Sequence, residues 1–289
     1  MSMRLIIVSG LSGSGKSVAL HMLEDIDFYC VDNIPAALLK PFIAHTVRGM
    51  GDTYPQTAVG LDARNRPSEI ETIPALVGEL QRSGISCEVL YLHAAEEVLL
   101  KRYAETRRKH PLVAGDVSLR EAIASERKLL EPIIIAADLV IDTSNMSVHA
   151  LRELIRDRIE RRRDGRLSLM FESFGYKHGL PGDADFVFDV RSLPNPYWEH
   201  ALRSLTGRDS AVIEYLEGYA SVRSMIADLT AFLEKRVGEF SQANRSYLTI
   251  AVGCTGGQHR SVYIAEQLAE HFRKSHPQVL TRHDSLNKS

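Results

Sequence analysis

The amino-acid sequence predicts an α/β protein with parallel sheets. Short, continuous apolar runs alternate with amphipathic helical segments along the first half of the chain. A glycine-rich turn follows an apolar run near each end of the sequence. Strands that alternate with helices form βαβ units, and parallel strands are apolar throughout because helices cover both faces of their sheet.

Each element is predicted from the period of its apolar residues: a continuous run indicates a buried strand, and a helical period indicates an amphipathic helix. In the first half the predicted strands are Arg4–Ser9, Phe28–Val31, Thr57–Asp62, Cys87–Leu92 and Leu139–Asp142. The predicted helices are Lys16–Ile26, Ala36–Val47, Ser68–Gln81, Glu96–Arg107, Leu119–Leu130 and Val148–Arg161.

A charged stretch, RIERRRDGR at residues 158–166, interrupts this alternation and contains an Asp-Gly turn signal. We therefore predict two domains, residues 1–163 and 164–289. The arginines of this stretch also fit a solvated helix end or an RNA contact. In the second domain the predicted strands are Leu167–Ser173, Phe186–Val190, Tyr247–Val252 and Gln278–Arg282, and the predicted helices are Ala211–Tyr219, Val222–Val237 and Ser261–Lys274.

Length and composition indicate a globular protein of 289 residues, long enough for two cores. The formal net charge of −2 does not indicate a nucleic-acid partner, so any basic surface must be local. Three distant cysteines indicate a reducing compartment rather than a disulfide framework. No run approaches the roughly 20 apolar residues of a membrane helix. We expect a cytoplasmic protein without a membrane partner.

Residues 10–17, GLSGSGKS, match the phosphate-loop pattern G-x-x-x-x-G-K-[ST] between a strand and a helix. Glycine lets main-chain N–H groups turn towards phosphate oxygens, and the helix N-terminus adds partial positive charge. Lys16 is predicted to reach the terminal phosphates, and the Ser17 hydroxyl to bind Mg²⁺. The predicted nucleotide-binding residues of the loop are Gly10, Leu11, Ser12, Gly13, Ser14, Gly15, Lys16 and Ser17.

A metal-bound phosphate also needs an acid at a nearby strand end. Asp62 ends the apolar run TAVGLD and is the candidate for this role and, with Lys16, for catalysis; a capping role is the alternative. Asp32 ends another strand, and Asp142 fits a cap better. A basic cluster, which fits a lid over the phosphates or an exposed helix face, comprises Lys101, Arg102, Arg107, Arg108 and Lys109.

The second glycine-rich turn, CTGGQHRS at residues 254–261, matches C-x₅-R-[ST], the phosphate cradle of cysteine-dependent phosphatases. In such a cradle main-chain N–H groups face the anion, Arg260 grips two oxygens, and the helix dipole lowers the pKa of the Cys254 thiol. Structural roles stay open: Cys254 as a buried small residue, and His259 as a helix-start residue with a satisfied ring. Asp183 or Asp185 would be the acid of a phosphatase.

Two more loops at strand ends are rigid and polar: FESFGYKHGLP at residues 171–181 and DVRSLPNPYW at residues 189–198. Ligands of α/β proteins bind at the carboxyl ends of strands. These loops therefore predict a polar, phosphorylated ligand.

Four stretches together resemble the RapZ family of RNase adapter proteins, which are YvcJ-type P-loop nucleotide-binding proteins. The stretches are VSGLSGSGKSVAL, FYCVDNIP, FESFGYKHGLP with DADFVFDVRSLPNP, and NRSYLTIAVGCTGGQHRSVYIAEQLA. The resemblance implies a P-loop kinase-like N-terminal domain that binds ATP and GTP and hydrolyses them weakly. It implies a C-terminal domain related to part of phosphofructokinase that binds glucosamine-6-phosphate. It further implies a homotetramer that binds a small regulatory RNA and, in enterobacterial members, RNase E.

Carried onto this sequence, the resemblance assigns three further sets of residues. The second nucleotide contact is Asp62, Ala63, Arg64 and Asn65. The sugar-phosphate pocket is Arg191, Cys254, Thr255, Gly256, Gly257, His259 and Arg260. The RNA contacts are Arg273, Lys274, Arg282 and Lys288. Tyr197 and His93 depart from the enterobacterial His and Asp, and the tail TRHDSLNKS is poorer in basic residues.

The sequence favours, in this order, an RNA-binding metabolic sensor, a P-loop kinase acting on a small molecule or protein, and a phosphatase that uses Cys254. The first predicts that Arg260→Ala abolishes sugar-phosphate binding without unfolding the domain. Phosphate release that survives Cys254→Ser would exclude the third.

Overall fold

A computed structural model describes residues 3–49, 54–106, 108–113, 117–160, 166–243 and 245–286. The chain divides into two units, Met1–Glu160 and Arg161–Ser289, and each unit contains a parallel sheet of its own. The predicted boundary between residues 163 and 164 lies outside the described residues, as do Arg107 and Lys288.

The first unit has a five-stranded parallel sheet with the strand order β2-β3-β1-β4-β5. Its strands are β1 (Arg4–Gly10), β2 (Tyr29–Val31), β3 (Gln56–Gly60), β4 (Ser86–His93) and β5 (Leu139–Asp142). Its helices are α1 (Lys16–Glu24), α2 (Ala36–Gly49), α3 (Pro67–Ile70), α4 (Ile73–Arg82), α5 (Glu96–Thr106), α6 (Leu119–Leu129), α7 (Glu131–Ile135) and α8 (Val148–Ile159).

The central strand β1 is apolar because both of its faces are covered. Leu5, Ile6, Ile7 and Val8 are all fully buried. β1 ends at Gly10, whose φ is 139° and where a Cβ would lie 2.7 Å from the main-chain nitrogen of Leu92 and closer still to its carbonyl oxygen. Only glycine therefore lets the chain leave the sheet against β4 and turn into the loop that precedes α1.

The second unit has a four-stranded parallel sheet with the order β7-β8-β6-β9. Its strands are β6 (Ser168–Gly175), β7 (Phe186–Asp189), β8 (Tyr247–Cys254) and β9 (Val279–His283). Its helices are α9 (Ser210–Glu217), α10 (Ala220–Gln242) and α11 (Arg260–Arg273), with short 3₁₀ turns at Tyr176–His178 and Pro196–Trp198. Every residue of the two inner strands, β6 and β8, is buried.

The predicted α/β class with parallel sheets is confirmed, and the element boundaries differ in a few places. The helix predicted over Ser68–Gln81 is two helices, because Pro74 at the start of α4 removes a main-chain donor and the chain begins a new helix there. α7 was not predicted. β3 ends at Gly60, so Asp62 lies in the following loop. None of the helices in the described ranges is long and apolar enough to cross a bilayer.

Candidate functional site

A cavity of about 520 Å³ opens over the loop between β1 and α1. Its walls combine the predicted phosphate loop, two acidic residues and several basic ones. The lining residues are Ser12, Gly13, Ser14, Gly15, Lys16, Ser17, Val18, Asp32, Asp62, Arg64, Arg102, Tyr103, Thr106, Arg108, Lys109, Pro111, Thr143, Met146, Ser147, Val148 and Leu151. Of the predicted nucleotide contacts, Gly10, Leu11, Ala63 and Asn65 lie outside this lining, and Leu11 and Ala63 are buried core residues.

The loop has the backbone that its glycines predict. Gly13 and Gly15 have φ angles of 85° and 107°, values that side chains rarely allow. Lys16 donates from Nζ to the carbonyl oxygen of Gly10 at 2.6 Å. Burial lowers the pKa of Lys16, and the negative charges of Glu126, Asp62 and Asp32 oppose that shift. The cation is thus held at the floor of the cavity with carboxylates around it.

Arg102 holds the loop from α5. Its Nη1 donates to the carbonyl oxygen of Gly13 at 3.0 Å and to Oγ1 of Thr143 at 3.0 Å, and its Nη2 donates to the carbonyl oxygen of Thr143 at 2.6 Å. The Thr143 hydroxyl in turn lies 2.9 Å from the carbonyl oxygen of Ser14. Arg102 therefore fastens the loop to the end of β5, which is neither the lid nor the exposed helix face that the sequence left open for this cluster. Arg108 and Lys109 line the cavity, where a lid role stays a prediction.

The acidic wall of the cavity is built from the loops after β2 and β3. Asp62 accepts the N–H of Arg64 at 2.9 Å and pairs with its Nε at 2.9 Å. With its amide oriented to donate, Asn33 adds a bond to Asp62 of 2.9 Å. Asn65 joins the same two loops, because its Oδ1 accepts the N–H of Ala36 at 2.6 Å. Asn65 is thus a structural residue of the wall.

The oxygen donors of the cavity suit a magnesium ion, a hard cation that is usually bound by one or two carboxylates, water and substrate phosphates. Ser17 is exposed, and Asp62 is buried with both oxygens engaged. Asp32 lines the same cavity and forms no hydrogen bond or ion pair within the described part of the chain. Over that part no group of three or more His, Cys, Asp or Glu is suited to a metal. Ser17 with Asp62 or Asp32 therefore fits an ion that arrives with a phosphate ligand.

In the second unit, the turn after β8 wraps around the sulfur atom of Cys254. Sγ of Cys254 accepts the N–H of Gly257 at 3.2 Å and lies 3.2 Å from Oγ of Ser261. Burial opposes ionisation of the thiol, but the Ser261 and Gly257 hydrogen bonds and the charge of Arg260 lower the pKa of Cys254 overall. These contacts explain the low pKa that the sequence predicted for Cys254. The N–H of Gly257, which the motif assigned to a bound anion, donates to the sulfur instead.

Arg260, which the sequence predicted to grip the ligand, is bonded to the main chain instead, and His259 has the satisfied ring that the sequence left open as its alternative role. Both side chains are buried. Arg260 Nη1 donates to the carbonyl oxygens of Arg191 at 2.7 Å and Leu193 at 3.0 Å. The His259 ring lies 3.1 Å from the carbonyl oxygen of Leu202, and burial lowers its pKa. Both residues hold the 190–206 segment, and with Cys254 at 3% exposure the geometry argues against a phosphatase nucleophile.

Other predicted members of this pocket are accessible. Thr255 is exposed, and a Cβ added at Gly256 would meet nothing within 4 Å. Arg191 is exposed, bonded to Asp189 through Nη2 at 2.7 Å and stacked 4.0 Å over the ring of Tyr176. The surface around Thr255 and Gly256 is therefore the open face of the turn.

The predicted RNA contacts are mostly engaged in ion pairs. Arg282 pairs with Asp284 at 2.8 Å and lies 3.9 Å from buried Glu172. Arg273 lies 3.9 Å from Glu266, whereas Lys274 is an exposed residue at the end of α11. Arg282 is therefore a structural residue of the sheet edge.

The two positions that depart from the enterobacterial pattern differ in exposure. Tyr197 is 46% exposed, and Arg203 lies 4.7 Å over its ring. His93 ends β4, and its carbonyl oxygen accepts the N–H of Thr143 at 2.8 Å. Tyr197 thus belongs to the surface of the second unit, and His93 supports the loop after β5 through its main chain.

Comparison with family models divides the chain into two matches. Residues 3–163 match a model described as the RapZ-like N-terminal domain, and residues 167–287 match one described as the RapZ C-terminal domain. The two matches together cover nearly the whole sequence.

The chain is also similar to curated proteins of other bacteria. It is 54% identical to a nucleotide-binding protein of Alkalilimnicola ehrlichii, over 99% of each chain. It is 53% identical to a nucleotide-binding protein of Nitrosococcus oceani, over 99% of this chain and all of the other. Among solved structures, a shikimate kinase from Bacteroides thetaiotaomicron covers 55% of this chain at 12% identity with a TM-score of 0.38.

Proposed function

Since the chain belongs to the RapZ family, we propose that its first unit binds a nucleoside triphosphate, ATP or GTP, together with Mg²⁺. Two relatives with about half of their residues identical carry the name nucleotide-binding protein, which supports this assignment. The proposed contacts are the residues of the two predicted segments that line the cavity, Ser12 to Ser17 of the phosphate loop together with Asp62 and Arg64. Any hydrolysis is weak, and the main role is regulatory.

The observation that carries this proposal is the cavity above the phosphate loop. Its volume of about 520 Å³ is within the range of small-molecule sites. Lys16 stands at its floor, the N-terminus of α1 faces it, and Arg64, Arg102 and Arg108 add positive charge to its walls. Main-chain N–H groups in such a loop form an anion-binding concavity, and the added positive charge favours a polyphosphate as the anion.

The test is a calorimetric titration of the full chain with ATP and with GTP in the presence of Mg²⁺. We expect saturable binding in the wild type and at least a tenfold weaker affinity in Lys16→Ala, because the terminal phosphates lose their charge partner. Lys40→Ala is the matched control, since Lys40 is an exposed residue paired with Glu79. A wild type that binds neither nucleotide would remove the proposal.

For the second unit we propose the role that family membership implies: an RNase adapter that senses glucosamine-6-phosphate. It would bind a small RNA that regulates glucosamine-6-phosphate synthase and would present that RNA to RNase E where the organism has this enzyme. The open face at Thr255 and Gly256 and the exposed side chain of Arg191 support a small polar anion as ligand. We further propose a homotetramer that acts in the cytoplasm.

Glucosamine-6-phosphate is the probe for this second role. The full chain is titrated with the sugar phosphate while free phosphate is assayed, and RNA binding is then measured with and without it. Saturable binding without phosphate release supports a sensor. Phosphate release would indicate a hydrolytic site instead, and no binding would show that the pocket serves another ligand.

A further inference from the structure

We propose that Glu126, on α6, is a positioning residue that holds the phosphate loop in its nucleotide-binding conformation. The inference rests on the proposed nucleotide binding of the first unit. Glu126 belongs to no motif of the loop and lies 114 residues from the serine that it contacts.

The contact is a two-point grip on one loop residue. Oε2 of Glu126 accepts the main-chain N–H of Ser12 at 2.9 Å, and Oε1 accepts the Ser12 hydroxyl at 2.7 Å. Ser12 is the third residue of GLSGSGKS, so both its main chain and its side chain are fixed from outside the loop. A loop whose peptide is held in this way loses less conformational freedom when a ligand binds.

The carboxylate is itself held by a third donor. Nε2 of His110 lies 3.1 Å from Oε2 of Glu126, and Nδ1 of His110 accepts the N–H of Leu112 at 3.1 Å. Because Nδ1 is an acceptor, Nε2 carries the proton and donates to the carboxylate. Glu126 is fully buried and His110 is nearly so. A buried carboxylate is costly unless it is fully hydrogen-bonded, and here each oxygen has a donor.

The residues at the start of α6 fix the orientation of Glu126 towards the phosphate loop. α6 begins with a capping box: Ser118 Oγ accepts the N–H of Glu121 at 3.2 Å, and the Glu121 carboxylate accepts the N–H of Ser118 at 2.9 Å. This fixes the helix phase, so that Ala122 and Ile123 are buried one turn before Glu126 on the same face.

The grip also places a negative charge near the phosphate-binding lysine. Glu126 is the leading charge that acts on Lys16, ahead of Asp62 and Asp32, while Arg64 acts in the opposite sense. Glu126 is therefore hydrogen-bonded to the main chain of the loop at Ser12, and its charge acts on Lys16. It acts through Ser12 and contacts no ligand, since it does not line the cavity.

The experiment measures affinity for ATP and GTP with Mg²⁺, and urea unfolding, on full-length variants. Glu126→Ala should weaken both affinities at least tenfold. Glu126→Gln should stay within about threefold of the wild type, because its amide oxygen accepts from Ser12 and His110 while its NH₂ group donates to the Ser12 hydroxyl. Ser12→Ala keeps the main-chain bond to Glu126 and loses the hydroxyl bond, so it should weaken binding about threefold. This variant replaces Glu126→Ala as the test if Glu126→Ala does not fold.

Glu88→Ala is the matched control, because Glu88 is also buried in the first unit and pairs with Arg4 at 3.3 Å, outside the cavity lining. It should lower stability and leave both affinities unchanged. Wild-type affinity in Glu126→Ala or in Ser12→Ala would overturn the inference, and so would an equal loss of affinity in Glu88→Ala. A wild type that binds no nucleotide would instead contradict the proposed function, so the two failures can be told apart.

Discussion

Sγ of Cys254 accepts the main-chain N–H of Gly257 at 3.2 Å, so the sulfur occupies the centre of its own turn. The sequence motif predicted that the turn donors would face a bound anion. In the structure the thiol takes Gly257 and Ser261 as partners and lies at the start of α11, where partial positive charge favours a thiolate.

The pH dependence of stability should therefore report Cys254. Burial opposes ionisation of this thiol, but its hydrogen bonds to Ser261 and Gly257 and the charge of Arg260 lower the pKa of Cys254 in the folded state below its ordinary value. The resulting stabilisation is fully present above that value and is lost as the pH falls through the folded-state pKa. Urea unfolding of the wild type and of Cys254→Ser, which does not titrate, should show a difference in stability that grows as the pH rises through the folded-state pKa and levels above the ordinary thiol pKa of about 8.5.

Burial raises the pKa of Cys30 and of Cys87 to about 12, so their ionisation in the unfolded chain lowers stability above about pH 8.5. This effect is the same in the wild type and in Cys254→Ser, and it cancels in the difference between them. A difference between wild type and Cys254→Ser that stays constant across the range would contradict a thiolate in the turn.

Replacement of two adjacent glycines of the same turn by alanine should have very different effects on stability. Gly257 has a φ of 72°, and a Cβ there would collide with the Ser285 hydroxyl and lie 2.6 Å from the nitrogen of Gly175. Gly257→Ala should lower the free energy of unfolding by about 2–4 kcal/mol. Gly256→Ala meets open space and should change it by less than about 0.5 kcal/mol, while weakening any ligand that uses the open face.

Chemical unfolding of the two variants, followed by titration of Gly256→Ala with glucosamine-6-phosphate, tests this pair. Equal stability of the two variants would show that the turn does not have the backbone described here.

Arg260→Ala should destabilise the second unit, contrary to the sequence prediction of a variant that loses only its ligand. The carbonyl oxygens of Arg191 and Leu193 would lose their buried donor, at a cost of about 2–4 kcal/mol. Arg191→Ala removes an exposed side chain and should cost less than about 1 kcal/mol while reducing affinity for the sugar phosphate. Thermal unfolding and calorimetry on both variants separate the two roles; a stable Arg260→Ala protein would refute the structural assignment.

Arg282 and Lys274 should likewise separate a structural cation from an RNA contact. Burial and the charge of Asp183 raise the pKa of Glu172, and Arg282 opposes this shift. Arg282→Ala removes that counter-charge and should lower stability by about 1–3 kcal/mol. Lys274→Ala should leave stability unchanged and, if Lys274 contacts a phosphate, should reduce the salt dependence of RNA binding by about one unit of slope.

Filter binding over a series of salt concentrations checks the second half of that prediction. An unchanged slope in Lys274→Ala would remove Lys274 from the RNA surface. An Arg282→Ala variant as stable as the wild type would show that buried Glu172 does not need the counter-charge of Arg282.

Signals that are local along the chain were predicted well. The phosphate loop needs only a strand, a glycine pattern and a helix in succession, and the structure places Ser12 to Ser17 around the cavity. Glycine turns behave in the same way, because a positive φ is a property of a single residue. Asp62, predicted as an acid at a strand end, lies in the loop after β3 and lines the cavity, and its metal role stays a prediction. Its contact with Asn33 was not predicted.

Residues that act across the fold were missed or given another role. The predicted helix over Leu119–Leu130 contains Glu126, but Glu126 carries no motif. Neither the apolar period nor the capping box at Ser118 indicates which residue its carboxylate contacts. Arg260 fitted an anion-binding pattern, but the pattern does not say which acceptors come within reach of its guanidinium. In the structure the guanidinium of Arg260 donates to the carbonyl oxygens of Arg191 and Leu193.

The sequence by itself determined the α/β class, the parallel sheets, the two glycine-rich turns and the family of this protein, because periodicity and short motifs depend on neighbours along the chain. Only the tertiary structure decided which polar groups face a ligand and which satisfy one another. Buried donors and acceptors must find partners wherever the fold brings them. That requirement pairs Glu126 with Ser12, Arg102 with Gly13 and Thr143, and Cys254 with Gly257 through hydrogen bonds.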